Sequence, residues 1–219
     1  MLHIDGVLSA DDCRAMRDAL SNSETWRDGR ETAKGQARTV KQNLQGDSSS
    51  TTVKGILAKI EIALKNNAVF EAAAMPEKIA RLSLNQYGPG MSYGDHVDAA
   101  YIHGSRTDLS FTLFLSDPDQ YEGGDLVIDN AGHEDAIKGP AGSVVLYPST
   151  AVHRVEEVKS GTRLACIGWI KSRIRSVEQR NMLFELEMAL ADLRAVKTPA
   201  PLYTRLLNLR NNLFRHFGE

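Results

Sequence analysis

Leu109-Ser110-Phe111-Thr112-Leu113-Phe114-Leu115, followed at once by Ser116-Asp117-Pro118, is a short β-type run closed by turn residues. From Ala80 onward the same texture recurs on both sides of it. Residues 81–87, 125–128, 143–147, 152–158 and 163–170 are β-type runs, separated by Gly88-Pro89-Gly90, Glu122-Gly123-Gly124, Asn130-Ala131-Gly132 and Gly139-Pro140-Ala141-Gly142. Glycine supplies positive φ and proline a fixed φ at such turns. Closely spaced strands of this kind predict a sandwich or barrel.

Outward from this region the periodicity becomes helical. Ser9 reads as an N-cap before Ala10-Asp11-Asp12, with Cys13, Met16 and Leu20 at i, i+3 and i+7. Thr51 or Thr52 is expected to cap a second helix, whose Val53, Ile56, Leu57, Ile60 and Leu64 fall on one stripe. Between the two, residues 29–50 are polar and mixed, and residues 37–44 fit either a strand or a mobile loop. After Ser172, Val177, Met182, Leu183, Leu186, Leu190 and Leu193 keep helical spacing; Pro199 and Pro201 break it, and residues 206–217 resume it. The expected fold is mainly β with flanking helices (α+β), with a first unit at residues 1–171, its β core at about 80–171, and a helical appendage at 172–219. Apolar stripes on the two terminal helices suggest a homodimer.

A chain of 219 residues allows one domain, or one with a small appendage. Folding should hide roughly 70% of its extended surface, enough for a core without staples. Twenty-six basic against 28 acidic side chains leave a net charge of −2, and that balance argues against a nucleic-acid partner. Apolar stretches are broken by charges well before the roughly 20 residues a bilayer requires. Met1-Leu2-His3-Ile4-Asp5 has neither a basic n-region nor an apolar h-region. Cys13 and Cys166, far apart, make no disulfide framework and fit a reducing compartment. A soluble, cytoplasmic protein with no membrane partner is expected.

The chemistry is sharpest at Tyr93-Gly94-Asp95-His96-Val97-Asp98. In a strand, residues two apart share a face, so His96 and Asp98 are expected to converge on one point. A third ligand, His153, sits in the later run Pro148-Ser149-Thr150-Ala151-Val152-His153-Arg154-Val155. Two neutral imidazoles and one carboxylate on one face of an ion define the facial triad of non-haem Fe(II) oxygenases, which leaves positions open for substrate and oxygen. A structural zinc site would need four protein ligands, usually with cysteine, and neither cysteine is suitably placed. His3, His103, His133 and His216 lie near termini or turns, where a histidine is more often solvated. Arg163 opens the apolar run Leu164-Ala165-Cys166-Ile167-Gly168-Trp169-Ile170, so it needs a carboxylate partner. That partner is either the far carboxylate of 2-oxoglutarate or a structural Asp or Glu.

The order Tyr87-Gly88-x-Gly90-x-x-Tyr93-x-x-His96-x-Asp98, then Gly123-Gly124-Asp125-Leu126, Pro148-Ser149-x-x-x-His153-x-Val155, and Arg163 with Trp169 resembles the prolyl/lysyl-hydroxylase-like branch of the Fe(II)/2-oxoglutarate dioxygenases. The bacterial PKHD-type hydroxylases look most similar, from His3-Ile4-x-Gly6-Val7-Leu8 through Arg106-Thr107-Asp108-Leu109-Ser110 to Met182-Leu183-Phe184-Glu185-Leu186. The resemblance implies a double-stranded β-helix (jelly roll) with N-terminal helices and a C-terminal helical tail. It implies Fe(2+) on His96, Asp98 and His153, 2-oxoglutarate on Arg163, and a hydrogen bond to the cosubstrate from Tyr87, which otherwise is a barrel aromatic. O₂ as co-reactant and L-ascorbate are implied in the same way. The expected reaction is hydroxylation of an unactivated C–H bond with decarboxylation of 2-oxoglutarate to succinate. The rival is a non-catalytic jelly roll that senses iron or oxygen, or binds a ligand. The substrate, unidentified, is either a prolyl or lysyl side chain or a small molecule such as an amino acid or siderophore fragment. The connection from Asp98 to Arg106 looks shorter than in the bacterial relatives, and loops near the iron shape substrate choice.

Two further features have ordinary explanations. Gly123-Gly124 is a hairpin or bulge device, because no helix start with Lys-Ser/Thr follows it. Lys171, Arg173, Arg175 and Arg180, flanked by Glu178 and Glu185, read as a solvated face.

Overall fold

The computed structural model describes residues 1–21, 23–32, 35–130, 132–196 and 199–218. Its helices are α1 (Ala10–Ala19), α2 (Gln36–Thr39), α3 (Thr51–Asn66), α4 (Ala68–Ala74), α5 (Val177–Ala195) and α6 (Ala200–Phe217). The earlier strands are β1 (Leu2–Ile4), β2 (Trp26–Asp28), β3 (Lys41–Gln42), β4 (Leu44–Gly46), β5 (Pro76–Tyr87), β6 (Ser92–His96), β7 (Tyr101–Ile102) and β8 (Ser105–Arg106). The later ones are β9 (Leu109–Phe114), β10 (Tyr121–Gly123), β11 (Leu126–Asn130), β12 (His133–Ile137), β13 (Val144–Pro148), β14 (His153–Val155), β15 (Val158–Gly161) and β16 (Arg163–Ser172). A large sheet of order β1-β13-β9-β16-β5-β4-β2 faces a smaller one of order β12-β11-β14-β6-β3, with β10-β15 and β7-β8 as separate ribbons. Every pairing among the described residues is antiparallel. This is the expected jelly roll, mainly β with flanking helices.

The central strands β13, β9 and β16 of the large sheet are buried on both faces, which explains why they read as nearly continuous apolar runs. Along β13, Val144 and Leu146 join the core beneath the helices, whereas Val145 and Tyr147 turn inward between the sheets. Along β16, Leu164, Cys166 and Ile170 pack toward the helices; the alternate residues Arg163, Ile167 and Trp169 line the interior. Val53, Ile56, Ile60 and Leu64 of α3 are buried, as their spacing predicts. Each such aliphatic side chain contributes about 1.5–3 kcal/mol on burial. Both cysteines are free and buried, and burial pushes the thiols up, Cys13 to about 11 and Cys166 to about 12.

Ser9 caps α1 by accepting from the Asp12 N–H at 3.1 Å. The cap of α3 is Ser50, which accepts from the Val53 N–H, and not Thr51 or Thr52, which are its first helical residues. α6 begins at Ala200, earlier than residue 206, because Pro201 falls in the first turn, where its missing N–H and fixed φ suit a helix. Met75, Ile174 and Leu183 form a small cluster that Leu213, Phe214 and Phe217 cover. β6 is the strand expected around His96, whereas β1, β2, β7, β8, β10 and β12 are additions to the expected runs. The expected run 152–158 divides into β14 and β15, with Glu156 and Glu157 bonded back to Asp125 and Gly124. Ala131 of the expected turn, and residues 197 and 198 in the proline break, lie outside the described residues. Among the described residues no helix is long and apolar enough to cross a membrane.

The open stretch 37–44 resolves into α2, β3 and the start of β4. β3 pairs with β6 in the small sheet and β4 with β5 in the large one. The chain thus steps from one sheet to the other at Asn43, which is buried and donates to Asn85 Oδ1 at 3.0 Å.

Candidate active site

His96 closes β6, and its partner in register is His153, the first residue of β14. The two imidazoles therefore arrive side by side, their ring centroids 4.2 Å apart. Asp98 is placed differently from the sequence expectation. β6 ends at His96, so Asp98 stands beyond the strand and does not share a strand face with it. It is fixed from the opposite sheet, where Ser110 on β9 donates to Asp98 Oδ2 at 2.5 Å and its hydroxyl meets that of Ser149 at 2.7 Å. His153 Nε2 lies 3.8 Å from Asp98 Oδ2. One ligand-type atom from each of His96, Asp98 and His153 falls within 4.8 Å of the others.

The ring orientations suit a cation. His96 Nδ1–H donates to the Gly94 carbonyl at 2.9 Å and His153 Nδ1–H to the Ala151 carbonyl at 3.1 Å. Each tautomer leaves the Nε2 lone pair free to coordinate. Burial first, and then the neighbouring His153, holds His96 below the usual histidine range, which favours the neutral form a metal requires. Tyr93 stacks on His96 at 3.6 Å, and Tyr147 meets His153 edge-on at 5.1 Å. His3, His103, His133 and His216 are all exposed, as expected, with His103 at the rim of the cavity. Cys13 and Cys166 belong to the core beneath the helices.

The triad lines a cavity of about 580 Å³ between the sheets. Arg163 lies deep in the same cavity, only 1% exposed, in register with Tyr87 of β5. Its guanidinium carbon is 5.3 Å from the Tyr87 ring centroid and 5.6 Å from that of Phe114. Nε and Nη2 are buried with no hydrogen-bond partner. Among the described residues no carboxylate forms an ion pair with Arg163, so the alternative of a structural Asp or Glu partner does not hold. A guanidinium left this way costs several kcal/mol unless a ligand anion satisfies it. Tyr87 is 3% exposed, and burial pushes its hydroxyl up, keeping it a protonated donor.

The structure adds residues that the sequence did not single out. Tyr121 Oη is a second buried polar atom without a partner, in the cluster that contains Tyr87. Gly124, at φ +68°, sits against both Tyr121 and Arg163; a Cβ there would come within 3.1 Å of Arg163 Cδ and of Tyr121 Cε2. Lys41 and Arg81 also face the cavity. Lys41 is 5% exposed, with Nζ 5.3 Å from the Tyr93 ring centroid, and burial and then Arg81 push its pKa down to about 8. Only the adjacency of Tyr121 to Gly123-Gly124 hinted at its place. Lys41 lay in the undecided stretch.

Residues 82–171, from within β5 to within β16, match the family model of the 2OG-Fe(II) oxygenase superfamily. Across the whole chain, 43% of residues are identical to a PKHD-type hydroxylase of Synechococcus elongatus, with 100% of both chains covered. The PKHD-type hydroxylase YbiX of Escherichia coli is 42% identical, over 100% of this chain and 99% of its own. Among solved structures, a Pseudomonas putida prolyl-4-hydroxylase superposes with a TM-score of 0.56 at 22% identity, covering 78% of this chain and 92% of that one. The non-haem α-ketoglutarate-dependent carbocyclase SnoK superposes at 0.58 with 15% identity, covering 79% of each. At those identities the solved structures share the fold alone. Likeness to the curated relatives extends from the first strand to the last helix, beyond the segment that carries the site, and on that ground the chain belongs to the PKHD-type hydroxylases, 2-oxoglutarate-dependent enzymes of the 2OG-Fe(II) oxygenase superfamily.

Proposed function

We propose that this hydroxylase holds Fe(2+) on His96, Asp98 and His153 and 2-oxoglutarate on Arg163 and Tyr87, and that it hydroxylates an unactivated C–H bond while 2-oxoglutarate is converted to succinate. The observation that carries this reading is the unpartnered, buried guanidinium of Arg163 in the same cavity as the three convergent ligand-type side chains. The donor set fits the metal, since two neutral imidazoles and one carboxylate leave coordination positions for a cosubstrate. Bound iron and 2-oxoglutarate supply the activation of O₂ and the oxidising power that no side chain has.

The chain's own groups orient and shield. The Gly94 and Ala151 carbonyls aim the imidazoles, Ser110 holds Asp98, and Arg163 offers a flat fork of donors that fits a carboxylate two bonds at a time. Tyr87 adds a hydroxyl donor beside that fork. L-ascorbate is the expected reductant. We assign residues 1–171 to the dioxygenase unit and 172–219 to a helical appendage, whose exposed Leu202 and Leu209 support a homodimer. The two free, buried cysteines support a cytoplasmic setting.

Purified protein supplied with Fe(II), 2-oxoglutarate and O₂ should form succinate. Arg163→Ala should raise the 2-oxoglutarate requirement about a hundredfold with metal affinity little changed, whereas His153→Ala should weaken metal binding itself. An Arg163→Ala protein with unaltered 2-oxoglutarate dependence would make the cosubstrate assignment wrong. Absence of succinate from the wild type would favour a non-catalytic role.

A further inference from the structure

Two cations in the cavity are left over once the cosubstrate is accounted for. 2-Oxoglutarate carries two carboxylates, and on the function proposed above one goes to the metal and the other to Arg163. Lys41 and Arg81 face the same space, and neither forms an ion pair among the described residues. Lys41 stands on β3 opposite Tyr93, whose ring stacks on His96, so its ammonium enters from the small sheet beside the triad.

Arg81 comes from the large sheet. Its partner in register is Trp169, and the partner of Trp169 on the next strand is Ser110, the residue that holds Asp98. Directly opposed residues share a face, so Ser110, Trp169 and Arg81 project into the cavity in one row. Two strand spacings put the Arg81 backbone about 10 Å from that of Ser110. Tyr87 and its partner Arg163 lie in another row, about 20 Å further along β5. Arg81 therefore stands in the row of Ser110 and away from the row of Arg163.

Among the described residues no carboxylate forms an ion pair with either cation. The strongest charge acting on Lys41 is Arg81, which has the same sign. Of the acids that act on Lys41, Asp28 is bound by Arg30 at 2.6 Å, and Asp98 is engaged by Ser110 in the triad. Trp169 Nε1, beside Arg81 in the row, is buried with no acceptor among the described residues. Enclosing two like charges and an idle donor is costly, and a bound anion would offset all three.

We propose that the molecule hydroxylated is itself an anion, small enough to share the cavity with 2-oxoglutarate, and that its carboxylate or phosphate is held between Lys41 and Arg81 with the Trp169 N–H as a further donor. This rests on the function proposed above and narrows its substrate. An internal prolyl or lysyl residue of an uncharged peptide segment brings no such group.

The test measures binding with Zn(II) in place of iron and saturating 2-oxoglutarate, so that it does not depend on turnover. The probes are N-acetyl-L-leucine against N-acetyl-L-leucinamide, and glycerol 3-phosphate against glycerol. In the wild type at least one anion should bind roughly tenfold or more tightly than its neutral counterpart, and which pair shows it identifies carboxylate or phosphate. Lys41→Gln and Arg81→Gln should each erase that preference while 2-oxoglutarate still binds, which also shows the site intact; Arg163→Gln should do the reverse. The proposal is overturned if neither anion binds at millimolar concentration, if neutral and charged probes bind alike, or if both variants keep the preference. It is equally overturned if the two variants lose 2-oxoglutarate together with the anion, since the cations would then serve the cosubstrate. Succinate formation by the wild type is read separately, so failure of the underlying function is told apart from failure of this inference.

Discussion

Ser110 reaches across from the large sheet to fix a carboxylate that no strand positions, and it makes its own hydroxyl part of a chain with Ser149. Groups that orient a metal ligand in this way commonly govern affinity by ten- to a hundredfold. Ser110→Ala should therefore weaken Zn(II) or Fe(II) binding about tenfold and leave 2-oxoglutarate binding dependent on Arg163 as before, measured by titration of the metal-free protein. Unchanged metal affinity would mean that the Asp98 rotamer is set by the backbone alone. At this scale the sequence was legible where chemistry is concentrated. His96 and Asp98 stood out by their spacing, His153 as a histidine in a later β-type run, and Arg163 as a charge opening an apolar one. Ser110 did not, because a serine in the alternating run Leu109-Ser110-Phe111-Thr112 reads as an ordinary strand residue until its partner across the barrel is known.

Elements differ in how far their own residues specify them. β9, β13 and β16 were visible because both of their faces are largely buried, and β5 was visible in its second half, where burial sets in. β3 and β4 were not, since two- and three-residue strands carry too little periodicity and depend on β6 and β5 across the two sheets. The seven-residue α4 was missed for a like reason, as Ala68-Val69-Phe70-Glu71-Ala72-Ala73-Ala74 spans barely two turns. The link from β10 to β11 shows how a small element can set a site. Gly123-Gly124, read from sequence as a hairpin or bulge device, stands at a register shift between β10 and β15, and it also makes room for a guanidinium. Gly124→Ala should cost about 1–3 kcal/mol through its left-handed φ and crowding by Val158 Cγ2 at 2.8 Å. It should also weaken 2-oxoglutarate binding about tenfold, with metal affinity intact. Thermal unfolding and a 2-oxoglutarate titration check both effects, and wild-type affinity in the variant would show that this turn does not position Arg163.

Over the whole molecule, helices blanket the outer face of the large sheet, and α5 and α6 continue that layer past Met75. Of the residues that line the cavity, Val97 and Tyr101 stand exposed, 52% and 66% respectively, while Arg163 is buried at 1%. On the function proposed above, a deep cation and an exposed rim impose a queue. A guest docked at that rim would stand over Arg163, so 2-oxoglutarate should be seated before it arrives and succinate should leave after it has gone. Pre-loading a ligand at the rim should slow 2-oxoglutarate entry about tenfold in rapid mixing, and equal entry rates in both orders of addition would disprove the queue.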